Sequence, residues 1–503
     1  MVDVLRRNRA AAVTGVVVLL LLVLLSRQYE PRVTASILLS GLTLGALYFL
    51  VTAGLSLIFG LMDVLNFAHG TLFMIGAYAG YTLYANPRMI LNTAPFALAL
   101  GGGALLGAWA VRRGAARLPA TLPRWGVWAP VVLGALLLLP GLGGFDLLKL
   151  AASGATASGG AVATAAAQEP GGAFALRLIW LALAGVLFGV ATGLHTARRP
   201  GAALPGGRRL AAGVALIVLA FILVPLRIPG ETWILGLSSN LRFLLALIIG
   251  AGSGAALGAG IEWSMIRPLY SRPIYQVLLT LGLVFVGTEA VKGVWGPAGF
   301  YMDIPDFFNS GSKACPSPDL LAWFSDHCAS IDVLGRPFPS YRIFIIMLGL
   351  VIFVAIALLL KYTRMGMIIR AGVQDSEMVQ ALGINVRRVF TLVFALGAGL
   401  AALGGVAAAP FIGVSPGLGQ DFLLLAFIAV VIGGMGSYPG AAIGALLVGL
   451  ARAFGDQLVL SGVHLPGMED AIKFSPSIAR ASTVLLMAVV LLVRPAGLFG
   501  RKE

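Results

Sequence analysis

The side chains able to do chemistry in this chain are few and far apart. The stretch LNFAHGTLFMIGAY, Leu65 to Tyr78, sets Asn66 and His69 three residues apart in apolar surroundings, with Gly70 beside them. Ionisable groups in lipid seldom stand idle, so Asn66, His69 and Gly70 are candidates for lining a solute path. The plainer reading has Asn66 capping a helix while His69 hydrogen-bonds a neighbouring carbonyl. Glu289, in VFVGTEAVKG, reads as the one acid well inside an apolar run. It either pairs with Lys292 at i+3 or lines the outer half of a path. Asp63 and Glu262 fall near the ends of such runs, read as hydrated, and receive no role. Inside the runs no His, Asp or Cys set has metal-ligand or nucleophile spacing, and no GxxxxGK precedes a Ser or Thr. Enzyme chemistry, a metal site and a P-loop are therefore not expected.

The elements that must position these residues follow from composition. Of 503 residues, 59% are hydrophobic and only 11% charged, and the mean hydropathy is +0.96. A soluble protein of this length carries about a quarter charged residues, so much of this surface faces lipid. The fold class is all-α, a polytopic transmembrane helix bundle. At about twenty apolar residues per crossing, about fourteen hydrophobic segments emerge. They centre near Leu20, Leu47, Ile75, Leu105, Leu136, Leu183, Ile217, Leu247, Val284, Val351, Leu400, Phe427, Leu447 and Val489. Those near Leu136 and Phe427 are short enough to be re-entrant or broken. Gly41 and Gly45, Gly103 and Gly107, Gly254 and Gly258, and Gly440 and Gly444 stand at helical spacing, which predicts close helix packing.

The net charge of +15 sits in short clusters between apolar runs and reads as a topology signal rather than a nucleic-acid surface. Arg6, Arg7 and Arg9, the loops at 112–124, 198–209 and 267–272, the segment from Lys361 to Arg388, and Arg494, Arg501 and Lys502 alternate with neutral or acidic loops. Positive loops stay inside, so both termini are predicted cytoplasmic. Residues 1–26 fit a signal peptide or an uncleaved first span, and the lack of a small-x-small cleavage site favours the span. The Ala/Gly/Ser tract at 151–173 reads as a flexible external spacer. Cys315 and Cys328 fall in an acidic external loop, where oxidation makes a disulfide the favoured reading over free thiols; His327 alone does not make a metal site there.

Between Lys361 and Val406 lies a cytoplasmic segment with a short amphipathic helix, about Gln374 to Leu382, ended by Gly383. Such a helix lies on lipid or plugs a partner's groove.

The blocks LNFAHGTLFMIGAY, RAGVQDSEMVQALGIN, VVIGGMGSYPGAAIGALLVGL and VRPAGLFG, in this order and spacing, resemble the integral-membrane permease of branched-chain amino-acid-type ABC importers, a family that includes urea and amide permeases. LLTLGLVFVGTEAVKGVWG at 278–296 resembles the family's span after its RPL loop, here Arg267 to Leu269. The resemblance covers residues 35–85 and 255–503. It implies a bacterial inner-membrane permease subunit for a small polar solute, a branched-chain amino acid or similar. It also implies a second homologous permease, two cytoplasmic ATPase subunits and an external solute-binding protein, with ATP on the ATPases and no cofactor in this chain. By the same resemblance, Arg370, Asp375, Gly383 and Asn385 belong to the helix that couples to an ATPase. The alternative is an ion-coupled secondary transporter, for which His69 and Glu289 are thin support.

Four parts are expected: a basic segment with the first span at 1–34, a permease core at 35–85 and 243–503, and inserted spans with the external tract at 86–242. The second core part holds the Cys loop at 296–340 and the coupling helix at 370–386. Against a typical relative the insertion adds about four crossings, an even number that preserves orientation. It reads as scaffold or as contact with the second permease.

Overall fold

The computed structural model describes residues 30–62, 65–113, 125–143, 145–146, 150–151, 169–197, 207–309, 315–374, 376–462 and 475–500. The first span near Leu20, Asp63, most of the Ala/Gly/Ser tract, Asp375, Arg501 and Lys502 lie outside the described residues.

The described chain is helical almost throughout. In order come α1 (Pro31–Met62), α2 (His69–Ala85), α3 (Pro87–Arg113), α4 (Trp125–Leu142), α5 (Gly171–Ala197), α6 (Gly207–Gly236), α7 (Ser239–Ile261) and α8 (Pro273–Trp295). The segment after α8 holds α9 (Leu320–Asp326) and an antiparallel hairpin, β1 (Ser330–Val333) and β2 (Arg336–Pro339), in register Ser330 to Pro339. Then follow α10 (Ser340–Tyr362), α11 (Arg364–Gln374), α12 (Ser376–Ala381), α13 (Val386–Ile412), α14 (Leu418–Gly433), α15 (Tyr438–Ser461) and α16 (Pro476–Val493). Among the described residues nine helices are long and apolar enough to cross a membrane: α1, α3, α5, α6, α7, α8, α10, α13 and α15. Shorter apolar helices are α4, α14 and α16. Each described apolar centre read from the sequence falls on one helix, as an all-α membrane bundle requires.

The chain divides into two compact units. One comprises Met1–Tyr84, Ser239–Gly293 and Pro297–Glu503; the other, Ala85–Ser238 with Val294–Gly296, contains α3 to α6. In lipid, helices gain little by hiding apolar surface from one another, so close backbone approach supplies the packing. All four glycine pairs serve this. A Cβ at Gly41 or Gly45 would meet Leu450 or Leu446 of α15, and one at Gly103 or Gly107 would meet Ala182 or Val186 of α5. Gly254 and Gly258 of α7 lie on Ala402 and Ala398 of α13, and Gly440 and Gly444 of α15 on Gly433 and Ala429 of α14. In the second unit the same packing is joined by ion pairs, Arg88 to Glu231 and Arg177 to Glu169. There Arg227, nearly buried, lies over the Phe174 ring at 3.7 Å and donates to Asn92 Oδ1 at 3.0 Å.

Candidate functional site

Residues 65–68 are not helical, and their neighbours fix how deep they lie. The Leu65 carbonyl accepts from Thr280 Oγ1 at 3.4 Å, in the second turn of α8. Thr71, in the first turn of α2, lies against Gly287, about 10 Å further along α8. The chain therefore climbs without helical hydrogen bonds and begins α2 beside the middle of α8. Its seventeen residues span only about 25 Å. The amide of His69 closes a turn onto the Asn66 carbonyl at 3.2 Å, and that of Leu72 starts the helix on Ala68 at 3.1 Å. Irregular backbone survives at this depth only inside protein or along a polar path.

Around this break the polar groups are only partly satisfied. His69 is fully buried and its Nε2 donates to the Val51 carbonyl at 3.0 Å, two-thirds of the way along α1. That bond places the proton on Nε2 and leaves Nδ1 an acceptor with no partner among the described residues. Asn66 is 2% exposed, and neither Nδ2 nor Oδ1 has a hydrogen bond there. The expected cap at Asn66 is thus not made, and the two residues do not share a helix face, because α2 begins only at His69. The His69–carbonyl bond is made. Ser56 Oγ on α1 is likewise buried without a partner among the described residues. Gly70 has a packing role: a Cβ there would overlap the Gly419 carbonyl and stand 2.7 Å from Leu423 Cβ. Phe73 stacks on Phe422 at 4.4 Å, fastening α2 to α14.

Glu289 is not brought to this break. It follows Gly287 by two residues, about 200° round α8 from the face that meets Thr71. Its side chain is 70% exposed and pairs with Lys292 at 2.7 Å. Nor is it the one acid within the apolar helices. Asp421 lies in the first turn of α14, and Asp456 pairs with Arg452 at 3.2 Å on α15. Their i,i+4 spacing in LARAFGDQ was the available signal. Glu262, expected to be hydrated, is fully buried at the end of α7 and paired with Arg267.

The segment from Lys361 to Asn385 holds two helices where the sequence predicts one. α11 starts at Arg364, well before Gln374, because Ile369 and Gly372 pack inward, the latter against Leu61 of α1. α12 then ends as expected: Gly383 at φ 80° receives the chain, its amide bonding the Gln380 carbonyl and that of Ile384 the Val379 carbonyl. Asn385 Oδ1 caps α13 by accepting from the Arg388 amide at 3.3 Å. Arg370 is exposed on α11, Met378 is exposed on α12, and Leu382 is exposed just after α12. In the segment between α8 and α10, Cys315 and Cys328 form a disulfide with Cα atoms 5.5 Å apart, and the Trp323 indole donates to the Cys328 carbonyl at 2.8 Å.

A bundle of long apolar helices with few charges is the architecture of a multi-pass membrane protein. The chain belongs to the family described as branched-chain amino acid transport system, permease component, which matches residues 207–494. It is 40% identical over 264 residues to the high-affinity branched-chain amino acid transport system permease protein LivH of Salmonella typhimurium, covering 52% of this chain and 74% of that one. BraD of Pseudomonas aeruginosa, a permease protein of the same description, is 37% identical over 161 residues, 32% of this chain and 46% of the relative. The fructose import permease protein FruF of Bifidobacterium longum is 27% identical over 249 residues, 48% and 62% of the two chains. No solved structure matches. The chain is a permease subunit of an ABC importer, not an enzyme.

Proposed function

We propose that this subunit carries a branched-chain amino acid, or a similarly small polar solute, inward across a bacterial inner membrane. It works with a second related permease, two cytoplasmic ATPases and an external binding protein, and ATP binds the ATPases. The solute class rests on the similarity to LivH and BraD. The orientation, both termini inside, rests on the alternation of basic loops.

The observation that carries the path is the break before α2, where Asn66 and His69 Nδ1 are buried without partners. In a low-dielectric interior such groups cost free energy unless another state of the protein, water or solute satisfies them. On this reading the break is closed in the described conformation and becomes polar lining when access alternates. Gly70 lets α2 and α14 meet closely there. The cytoplasmic helices α11 and α12, with Arg370, Asp375, Gly383 and Asn385, seat against an ATPase and receive its movement. Glu289 contributes an ion pair at the edge of α8.

Uptake of labelled leucine into vesicles holding the reconstituted complex tests this. Uptake is expected to need ATP, the ATPases and the binding protein, and to fall in Asn66→Ala. Uptake that persists without the ATPases and follows a proton or sodium gradient would replace this reading with a secondary transporter.

A further inference from the structure

At the cytoplasmic end of α7 the helix loosens into a π turn, Glu262–Ile266, and then a 3₁₀ turn, Arg267–Leu269. Wide turns of this kind recur at working parts of helices. Here the turn presents the fully buried Glu262 carboxylate to Arg267, with Nε to Oε1 at 3.2 Å and Nη2 to Oε2 at 3.0 Å. The Tyr270 hydroxyl donates to the same carboxylate. Burial, then that bond, pushes the Tyr270 phenol up, so it stays a donor.

The pair does not end within α7. Arg267 Nη2 also donates to Thr391 Oγ1 at 2.6 Å and to the Arg387 carbonyl at 3.4 Å, both in the first two turns of α13. The Thr391 hydroxyl in turn donates a hydrogen bond to the Arg387 carbonyl at 2.9 Å. The Tyr270 ring meets Phe390 edge-on at 5.4 Å. Below these, Ile266 of the turn, Phe394 of α13 and Ile58 of α1 form one buried cluster.

The start of α13 also adjoins α12. Only residues 382–385 separate α12 from α13, and both ends are fixed, one by the Gly383 turn and one by the Asn385 cap. Further along, Gly250, Gly254 and Gly258 of α7 lie directly on Val406, Ala402 and Ala398 of α13. Gly405 of α13 lies against the Phe73 backbone of α2. A displacement entering α13 thus has a packed route to the broken helix.

We propose that Glu262, Arg267, Tyr270 and Thr391 form a transmission clasp that makes α7 follow α13 when the cytoplasmic segment is displaced. These are positioning residues, acting through the contact between α7 and α13. The proposal rests on the coupling role of α11 and α12 given above.

Thr391→Val is the sharpest test, because it removes the side-chain hydrogen bond from Arg267 to α13 and leaves the Glu262–Arg267 pair intact. In complexes purified with their ATPases and reconstituted in vesicles, leucine uptake and ATP hydrolysis are measured together. Thr391→Val is expected to hydrolyse ATP at the wild-type rate while uptake per ATP falls about fivefold or more. Thr391→Ser, which keeps the hydroxyl, is expected to restore it. A purely structural contact would lower stability without changing uptake per ATP, so an unchanged ratio in an assembled Thr391→Val complex overturns the clasp. Wild-type permease that binds no ATPase would overturn the coupling reading and the clasp with it.

Discussion

Two polar regions of the same unit each bury a polar side chain almost completely, Glu262 in one and Asn66 and His69 in the other, and are treated in opposite ways. At the end of α7 the Glu262 carboxylate accepts from both Arg267 and Tyr270, and the guanidinium reaches on to α13. At the start of α2 the Asn66 amide bonds nothing among the described residues, and His69 uses one ring nitrogen. A satisfied buried network holds one geometry, whereas an unsatisfied one is poised to change partners. The first region therefore reads as a fixed joint and the second as the part that opens.

The largest effect that tests this contrast comes from cutting the joint. Arg267→Gln leaves a fully buried carboxylate without its cation and is expected to cost about 3–5 kcal/mol. Unfolding in mixed detergent micelles measures this. The double variant Glu262→Gln with Arg267→Gln should recover most of it, and a double variant no better than the single would show that the pair is not the source.

Next comes the close contact at the break. Gly70→Ala drives a Cβ into the Gly419 carbonyl and is expected to cost about 1–3 kcal/mol and to slow uptake. The same assay checks it, and wild-type stability would mean that α2 and α14 part easily.

Asn66→Leu should act in the opposite sense on stability. With no hydrogen bond lost and an unpaired amide removed, it is expected to stabilise by about 1 kcal/mol while leucine uptake falls. Destabilisation larger than that would show that Asn66 is satisfied, and the contrast between the two regions would fail.

The smallest effect belongs to Glu289→Gln. Its exposed pair with Lys292 should be worth less than about 1 kcal/mol. Uptake is expected to stay within twofold of wild type, and a collapse of uptake would return Glu289 to the path.

How much of this was legible in the sequence depends on range. The apolar runs, the glycine pairs and the Gly383 stop depend on local spacing and were read correctly from it. The helix before Gln374 was missed because α11 is held by Gly372 against Leu61 of α1, a contact more than three hundred residues apart. Glu262 looked hydrated because it stands near the end of an apolar run; Thr391, which Arg267 also reaches, is 124 residues beyond Arg267. Asn66 looked like a cap because Asn before a helix usually is one. Its backbone, not its side chain, closes the turn.

By itself the sequence determined that this chain lives in lipid, where its helices run, and which blocks make it a permease, because those properties follow from composition and local order. The tertiary structure alone decided which buried polar atoms are paired. Pairing depends on where distant helices cross, and in a medium without water a difference of a few ångströms separates a held charge from an unsatisfied one.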